Sequence, residues 1–230
     1  MPKFYGNAGG GGAAPASNPL YQVVSSTFEK DTRFTTSGDT TPTYAANGLV
    51  ITTSATGNRK CQVALTGIGS GNRKPMRSGA VNWACMVIPS TLPTGTNDGD
   101  TFIGISRSLT VVGGVGGIDF DSAAQIGFKI ITVDGVTKLY ATNSGGAAET
   151  ATEITDVTVE AFQNYYLGIK ATLTSIEFYV DNVLVATHTT NIPVAEDELD
   201  LFFMAVSNKN TATAVAYWVE YFSAQVKVSD

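Results

Sequence analysis

The stretch Tyr165-Tyr166-Leu167-Gly168-Ile169-Lys170-Ala171-Thr172-Leu173-Thr174-Ser175-Ile176-Glu177-Phe178-Tyr179-Val180-Asp181-Asn182-Val183-Leu184-Val185-Ala186-Thr187-His188 decides the fold. Two alternating runs meet at Asp181-Asn182, a pair suited to a two-residue hairpin turn. In the run entering the turn, Ile176, Phe178 and Val180 point one way and Glu177, Tyr179 and Asp181 the other. One face is apolar, and the other is free to meet solvent or a ligand.

The same pattern recurs along the chain. Asp134-Gly135, set between Ile126-Gly127-Phe128-Lys129-Ile130 and Val136-Thr137-Lys138-Leu139-Tyr140, is a second two-residue hairpin signal. Strand-like segments rich in Thr, Val and Ile are expected near 20–29, 48–53, 60–66, 79–89, 101–107, 117–121, 125–133, 136–142, 153–159, 164–173, 175–181, 183–189, 199–207 and 214–228. No helix pattern and no fixed-period repeat interrupts them. Strands this numerous and short pack best as two facing antiparallel sheets, an all-β sandwich. With 230 residues, 43% hydrophobic and 15% charged, and with 24 glycines, the chain has the length and turn content of one such domain. A net charge of -6 argues against general binding to nucleic acid or to an anionic membrane. No apolar run reaches spanning length, so membrane insertion is not expected.

The hairpin resembles the Ile-x-Phe-Tyr-Val-Asp-Gly-x-x-Val-Ala segment of the concanavalin A-like lectin/glucanase superfamily, which includes laminin-G domains and laminarinase-type glycosidases. Asn182 takes the glycine position, and asparagine is the side chain that best tolerates a left-handed turn. Asn47-Gly48-Leu49-Val50-Ile51, Ser78-Gly79-Ala80-Val81-Asn82-Trp83-Ala84-Cys85-Met86-Val87 and Tyr217-Trp218-Val219-Glu220-Tyr221-Phe222-Ser223-Ala224-Gln225-Val226 are similar to three further strands of that superfamily, in its order. The resemblance covers residues 20–230 and implies a concanavalin A-like jelly roll. In the glycosidase branch a central strand carries Glu-Ile-Asp-x-x-Glu, with nucleophile, helper and acid on one face. The nearest match, Gly117-Ile118-Asp119-Phe120-Asp121-Ser122, has glycine at the nucleophile position and no following glutamate. No catalytic residue is assigned, and the chain is read as a non-enzyme. Asp119 and Asp121, with Tyr179 from the polar row of the hairpin, are the candidates for carbohydrate binding.

Other clusters have plainer readings. Asn97-Asp98-Gly99-Asp100 is taken as an Asp-Gly turn, too short in ligands for a dedicated calcium loop. Gly67-Ile68-Gly69-Ser70-Gly71-Asn72-Arg73-Lys74 looks like a phosphate-cradling loop, but Pro75 follows and no helix begins. Cys61 and Cys85 lie in apolar runs and are read as buried thiols. With His188 as the sole histidine, neither a metal site nor a catalytic triad is expected, and no cofactor is called for. Trp83, Tyr179, Trp218 and Tyr221 are the aromatic residues suited to stacking on sugars. All but Tyr179 are read as core.

Residues 1–19 read as a separate arm. Lys3-Phe4-Tyr5 precedes a flexible Gly/Ala/Pro-rich tether from Asn7 to Ala16, with no apolar run of secretory type. Superfamily jelly rolls usually work outside cells, and one without a signal fits a protein released by lysis, as virion parts are. The leading expectation is a structural display protein on the virion surface, such as a capsid decoration or fibre component. Its partners would be other virion proteins or copies of itself, reached through Lys3, Phe4, Tyr5, Arg73, Lys74 and Arg77. A carbohydrate-binding module or adhesin is the alternative, compatible with display on surface glycans, and a laminarinase-like hydrolase is the third reading.

Overall fold

The computed structural model describes residues 21–26, 34–38, 42–45, 48–56, 59–65, 74–92, 99–106, 110–111, 118–121, 123–209 and 214–227. In chain order the strands are β1 (Tyr21–Ser26), β2 (Phe34–Gly38), β3 (Thr43–Ala45), β4 (Gly48–Thr52), β5 (Lys60–Leu65), β6 (Ala80–Thr91), β7 (Asp100–Ser106), β8 (Thr110–Val111) and β9 (Ile118–Asp119). They continue as β10 (Ala124–Val133), β11 (Val136–Gly145), β12 (Glu149–Glu153), β13 (Tyr165–Thr172), β14 (Ile176–Val180), β15 (Val183–His188), β16 (Asp200–Ser207) and β17 (Ala216–Lys227). An eight-stranded sheet runs β15-β14-β13-β6-β17-β4-β3, with β1 also paired to β17; a seven-stranded sheet runs β12-β11-β10-β7-β16-β5-β2. All pairs are antiparallel. The protein is a two-sheet jelly-roll sandwich.

Both hairpins form as their turn residues require. Asp181 and Asn182 have φ of 51° and 67°, and Asp134 and Gly135 have 53° and 74°, the left-handed pair that matches the twist of adjoining strands. The Asp181 carboxylate accepts the Tyr166 N–H at 3.0 Å, so this residue locks the turn instead of extending the polar row. Ile176, Phe178 and Val180 are buried, as their alternation demands.

The core fills the space between the sheets. Trp83, Cys85, Leu167 and Phe178 come from one side, and Ile103, Phe128 and Met204 from the other. Phe128 and Phe178 meet edge to face with centroids 5.6 Å apart. Cys61 and Cys85 are buried and not joined in a disulfide, and burial pushes the Cys85 thiol well above its usual range.

Several segments differ from the sequence reading. The strand expected at 153–159 lies earlier: β12 ends at Glu153, and a turn at 155–156 follows. Ile154 and Val159 still reach the core, which explains the misleading apolar pattern. The Tyr165 hydroxyl fastens this loop by donating to Thr158 O and accepting the Glu160 N–H. Of the segment expected at 117–121, Gly117 lies outside the described residues, and Ile118–Asp119 pair with β8 in a small ribbon outside both large sheets. β2, β3 and β8 were not anticipated, because their Thr- and Ser-rich residues carry little apolar alternation. One short 3-10 turn spans Pro75–Ser78.

Candidate functional site

Cross-strand register orders the outer face of the eight-stranded sheet into rows. Ser223 lies opposite Ala84, Ala84 opposite Gly168, and Gly168 opposite Tyr179. Three small residues in line make a shallow trough that crosses the strands. Its floor and closed end span four strands, about 14 Å at the usual strand spacing.

One wall of the trough is apolar and aromatic. Tyr221 pairs with Met86, and Met86 with Tyr166. Burial, and then the neighbouring Tyr221 hydroxyl, push the Tyr166 phenol above its usual range. The next row places Trp218, 42% exposed, across from Ile88 and Val50. The opposite wall is polar: Gln225 pairs with Asn82, Asn82 with Lys170, and Lys170 with Glu177. This row combines amide donors and acceptors with one cation and one anion.

The aromatic wall depends on an irregularity. Regular alternation would put Trp218 and Tyr221 on opposite faces, since they are three apart. The β17–β6 register shifts between Val219 and Tyr221, leaving Glu220 as the extra residue, so both aromatics point outward. The core readings of Trp218 and Tyr221 are thereby corrected: Trp218 is exposed and Tyr221 half-buried. Trp83, in contrast, is buried as expected, with its indole Nε1 donating to Leu201 O at 2.8 Å.

The outer face of the seven-stranded sheet has a different character. Phe102, Ile118, Phe120, Phe203 and Ala205 form a separate apolar cluster there. Gly127 makes room for it, because a Cβ at this position would lie 2.6 Å from the Phe102 ring. Beside the cluster, Lys129 is held by Glu149 at 2.6 Å and lies 4.8 Å from the centre of the Phe120 ring and 5.2 Å from that of Tyr140. Thr142 donates to the same carboxylate. The outward positions in the middle of β10 are thus Gln125, Gly127 and Lys129, a row without a carboxylate.

The three carbohydrate candidates separate. Tyr179 stands in the trough. Asp119 and Asp121 belong to the segment laid over the apolar cluster on the other sheet. Asp119 accepts the Asp121 N–H at 3.0 Å, and Asp121 accepts the Glu149 N–H at 2.7 Å. The Asp119 carboxylate therefore closes a local turn, and that of Asp121 fastens the loop to β12.

Among the docking candidates, Lys3, Phe4, Tyr5 and Arg73 lie outside the described residues, as does the arm at 1–19. Lys74 and Arg77 converge on Glu196 at 2.6 and 3.8 Å. Hydrogen bonding from Lys74, followed by the charges of Lys74 and Arg77, holds the Glu196 carboxyl below its usual range. In the acidic turn, Asn97 and Asp98 lie outside the described residues. Asp100 is ion-paired to Lys209 at 2.8 Å and accepts the Ile118 N–H at 3.0 Å. Among the described residues, no three acidic, histidine or cysteine side chains gather as a metal site. No described helix is long and apolar enough to cross a membrane.

No protein-family model matches the sequence, and no curated protein does. Solved structures match over most of the chain. The chain is similar to the Bacillus licheniformis β-glucanase, with a TM-score of 0.56 at 12% identity over 90% of this chain and 98% of the other. It is similar to the CBM2 module of the evolved Dit of Lactobacillus casei BL23 phage J-1, with a TM-score of 0.55 at 10% identity over 89% and 94%. A botulinum neurotoxin type C structure, from work describing cell entry through two ganglioside molecules, matches at a TM-score of 0.52 and 12% identity. That match covers 86% of this chain and 44% of the toxin chain, so this chain spans less than half its length. At such identities the likeness establishes the concanavalin A-like jelly-roll fold and nothing finer.

Proposed function

We propose that this concanavalin A-like jelly roll is a non-enzymatic carbohydrate-binding module, displayed on a virion by its N-terminal arm. The observation that carries the binding reading is the trough of small residues between an aromatic wall and a polar wall. A sugar ring presents an apolar face of C–H groups and a rim of hydroxyls. Tyr166 and Tyr221 suit the first, and Asn82, Gln225 and Lys170 the second.

The non-enzymatic part rests on the other sheet. Retaining or inverting hydrolysis needs two carboxyl groups flanking the bond to be cut. The middle of β10 offers Gln125, Gly127 and Lys129 instead, and Phe102, Phe120 and Phe203 occupy the adjoining face. Asp119 and Asp121 are engaged in backbone contacts beside it.

Display on a virion is supported by the Gly/Ala/Pro-rich composition of Asn7–Ala16, which suits a tether. The likeness to the CBM2 module of a phage Dit supports the same reading. A broad glycan array probed with the full chain tests the binding reading, and the expected result is a coherent set of related glycans. An array without hits above background would sink it. The display reading is tested separately with candidate particles. Removing residues 1–16 is expected to abolish particle association while glycan binding and melting temperature stay as they were. Undiminished association of the shortened chain would contradict the docking role.

A further inference from the structure

Resting on the carbohydrate reading, we propose that the trough binds the end of a neutral, unbranched glycan chain and not its interior. The floor of Ser223, Ala84 and Gly168 stops at Tyr179, its cross-strand neighbour on β14. A Cβ on Gly168 would lie 3.4 Å from the Cβ of Tyr179, so the large side chain rises directly beside the floor. Its hydroxyl is held by two partners. The Lys170 ammonium lies 4.6 Å from the ring centre and donates to the hydroxyl at 3.2 Å, while that hydroxyl donates to Glu177 at 2.5 Å. A ring whose hydroxyl is held by both Lys170 and Glu177 stays in place as a chain arrives, and it blocks passage toward β15. Beyond it stands Leu184, 51% exposed and directly opposite Tyr179.

The chemistry of the walls selects the class of ligand. Asn82 and Gln225 are neutral amides, and Lys170 and Glu177 are cross-strand partners of opposite sign, so the polar wall has no net charge. Such a wall reads hydroxyl groups and gives no reward to a carboxylate or sulfate. At the closed end, Lys170 retains N–H donors and Glu177 retains lone pairs beyond their bonds to Tyr179. A terminal sugar has one hydroxyl more than an internal one, and these groups stand where it would arrive.

The test measures binding by titration calorimetry against neutral linear oligosaccharides of increasing length and their parent polymers, using gluco-, manno- and galacto-series as probes. The expected result is an affinity per chain that stays level beyond the length of the trough. Capacity on the polymers should follow the number of chain ends. Affinity rising steadily with length, or capacity following polymer mass, overturns end-reading while leaving the carbohydrate reading intact. No binding to any of these series overturns end-reading of a neutral glycan; if the array is also blank, the carbohydrate reading falls with it.

Two variants separate this role of Tyr179 from a structural one. Tyr179→Ala opens the closed end and is expected to shift capacity from chain ends to polymer mass. Gly168→Val fills the floor and is expected to weaken binding about tenfold or more. Circular dichroism checks that each remains folded. A folded Tyr179→Ala protein that still counts chain ends, or a folded Gly168→Val protein of unchanged affinity, contradicts the proposal.

Discussion

Replacing Trp83 with alanine is expected to destabilise the domain by about 4 kcal/mol. The indole is 2% exposed and lies in the space between the sheets. Its strand, β6, is paired to both β13 and β17, so the cavity opens at the centre of the eight-stranded sheet and has little freedom to collapse. The substitution also strips Leu201 O, on the facing sheet, of the indole N–H at 2.8 Å. Leaving that carbonyl unpaired costs about 1–3 kcal/mol, part of which the cavity recovers if water enters. Trp83→Phe keeps most of the apolar volume and is expected to lose about half as much. Urea denaturation of the three proteins checks the order. A Trp83→Ala protein within about 1 kcal/mol of the parent would contradict the central placement of this ring.

The second large effect concerns Asn143 and His188. Asn143 Nδ2 donates to Thr190 O at 2.8 Å and to Asn191 O at 2.7 Å, and its Oδ1 lies 2.6 Å from His188 Nδ1. His188 Nε2 in turn meets the Thr152 hydroxyl at 2.9 Å. The imidazole is 4% exposed and packs on Phe178 with centroids 4.9 Å apart. This network ties the end of β15 to β11 and β12 of the opposite sheet. Asn143→Ala leaves the buried His188 Nδ1 and the Thr190 and Asn191 carbonyls without this partner and is expected to cost about 3 kcal/mol.

Burial lowers the His188 pKa below its ordinary 6.5, and the Glu149 charge offsets this only in part. The fold therefore favours the neutral ring, with Nδ1–H donating to Asn143 Oδ1 and Nε2 accepting from Thr152. The unfolded chain binds the proton first as pH falls. Stability from this group is complete above about pH 6.5 and declines as pH falls from there through the folded-state value. Thermal melts between pH 7.5 and 5.5 are expected to show this slope in the parent protein and a flatter one in His188→Gln. Equal slopes would show that His188 titrates alike in both states.

The fold was largely legible because turn chemistry and alternation act locally. Asp181-Asn182 and Asp134-Gly135 each declare a hairpin, and the buried row Ile176, Phe178 and Val180 declares which side faces the core. Where local pattern and tertiary pairing diverge, the reading failed. Glu153 to Val159 alternates like a strand, yet only its apolar anchors are used and the backbone turns between them. Ile118 to Asp121 looks like a catalytic strand, yet it becomes a short ribbon laid on Phe102.

The site was legible only in part, since it is assembled from four strands far apart in sequence. Tyr179 stood out because it shares a face with Glu177. Tyr166 and Met86 gave no signal, as half-buried apolar residues in a strand have the same pattern whether they face core or trough. Trp218 and Tyr221 were hidden by the extra residue Glu220, which reverses the face predicted by strict alternation. Asp119 and Asp121 are acidic and closely spaced, but they bind backbone N–H groups.

The measurement that bears most directly on the central claim is calorimetric titration of the strongest array glycan against three proteins: the parent, a Tyr166→Ala/Tyr221→Ala variant and Asp119→Asn, each first shown to melt cooperatively. If the trough is the binding face, removing its aromatic wall weakens binding about thirtyfold, or about 2 kcal/mol, while Asp119→Asn binds like the parent. Parent-like affinity in the double tyrosine variant, together with lost binding in Asp119→Asn, would place the glycan on the opposite sheet and contradict the account.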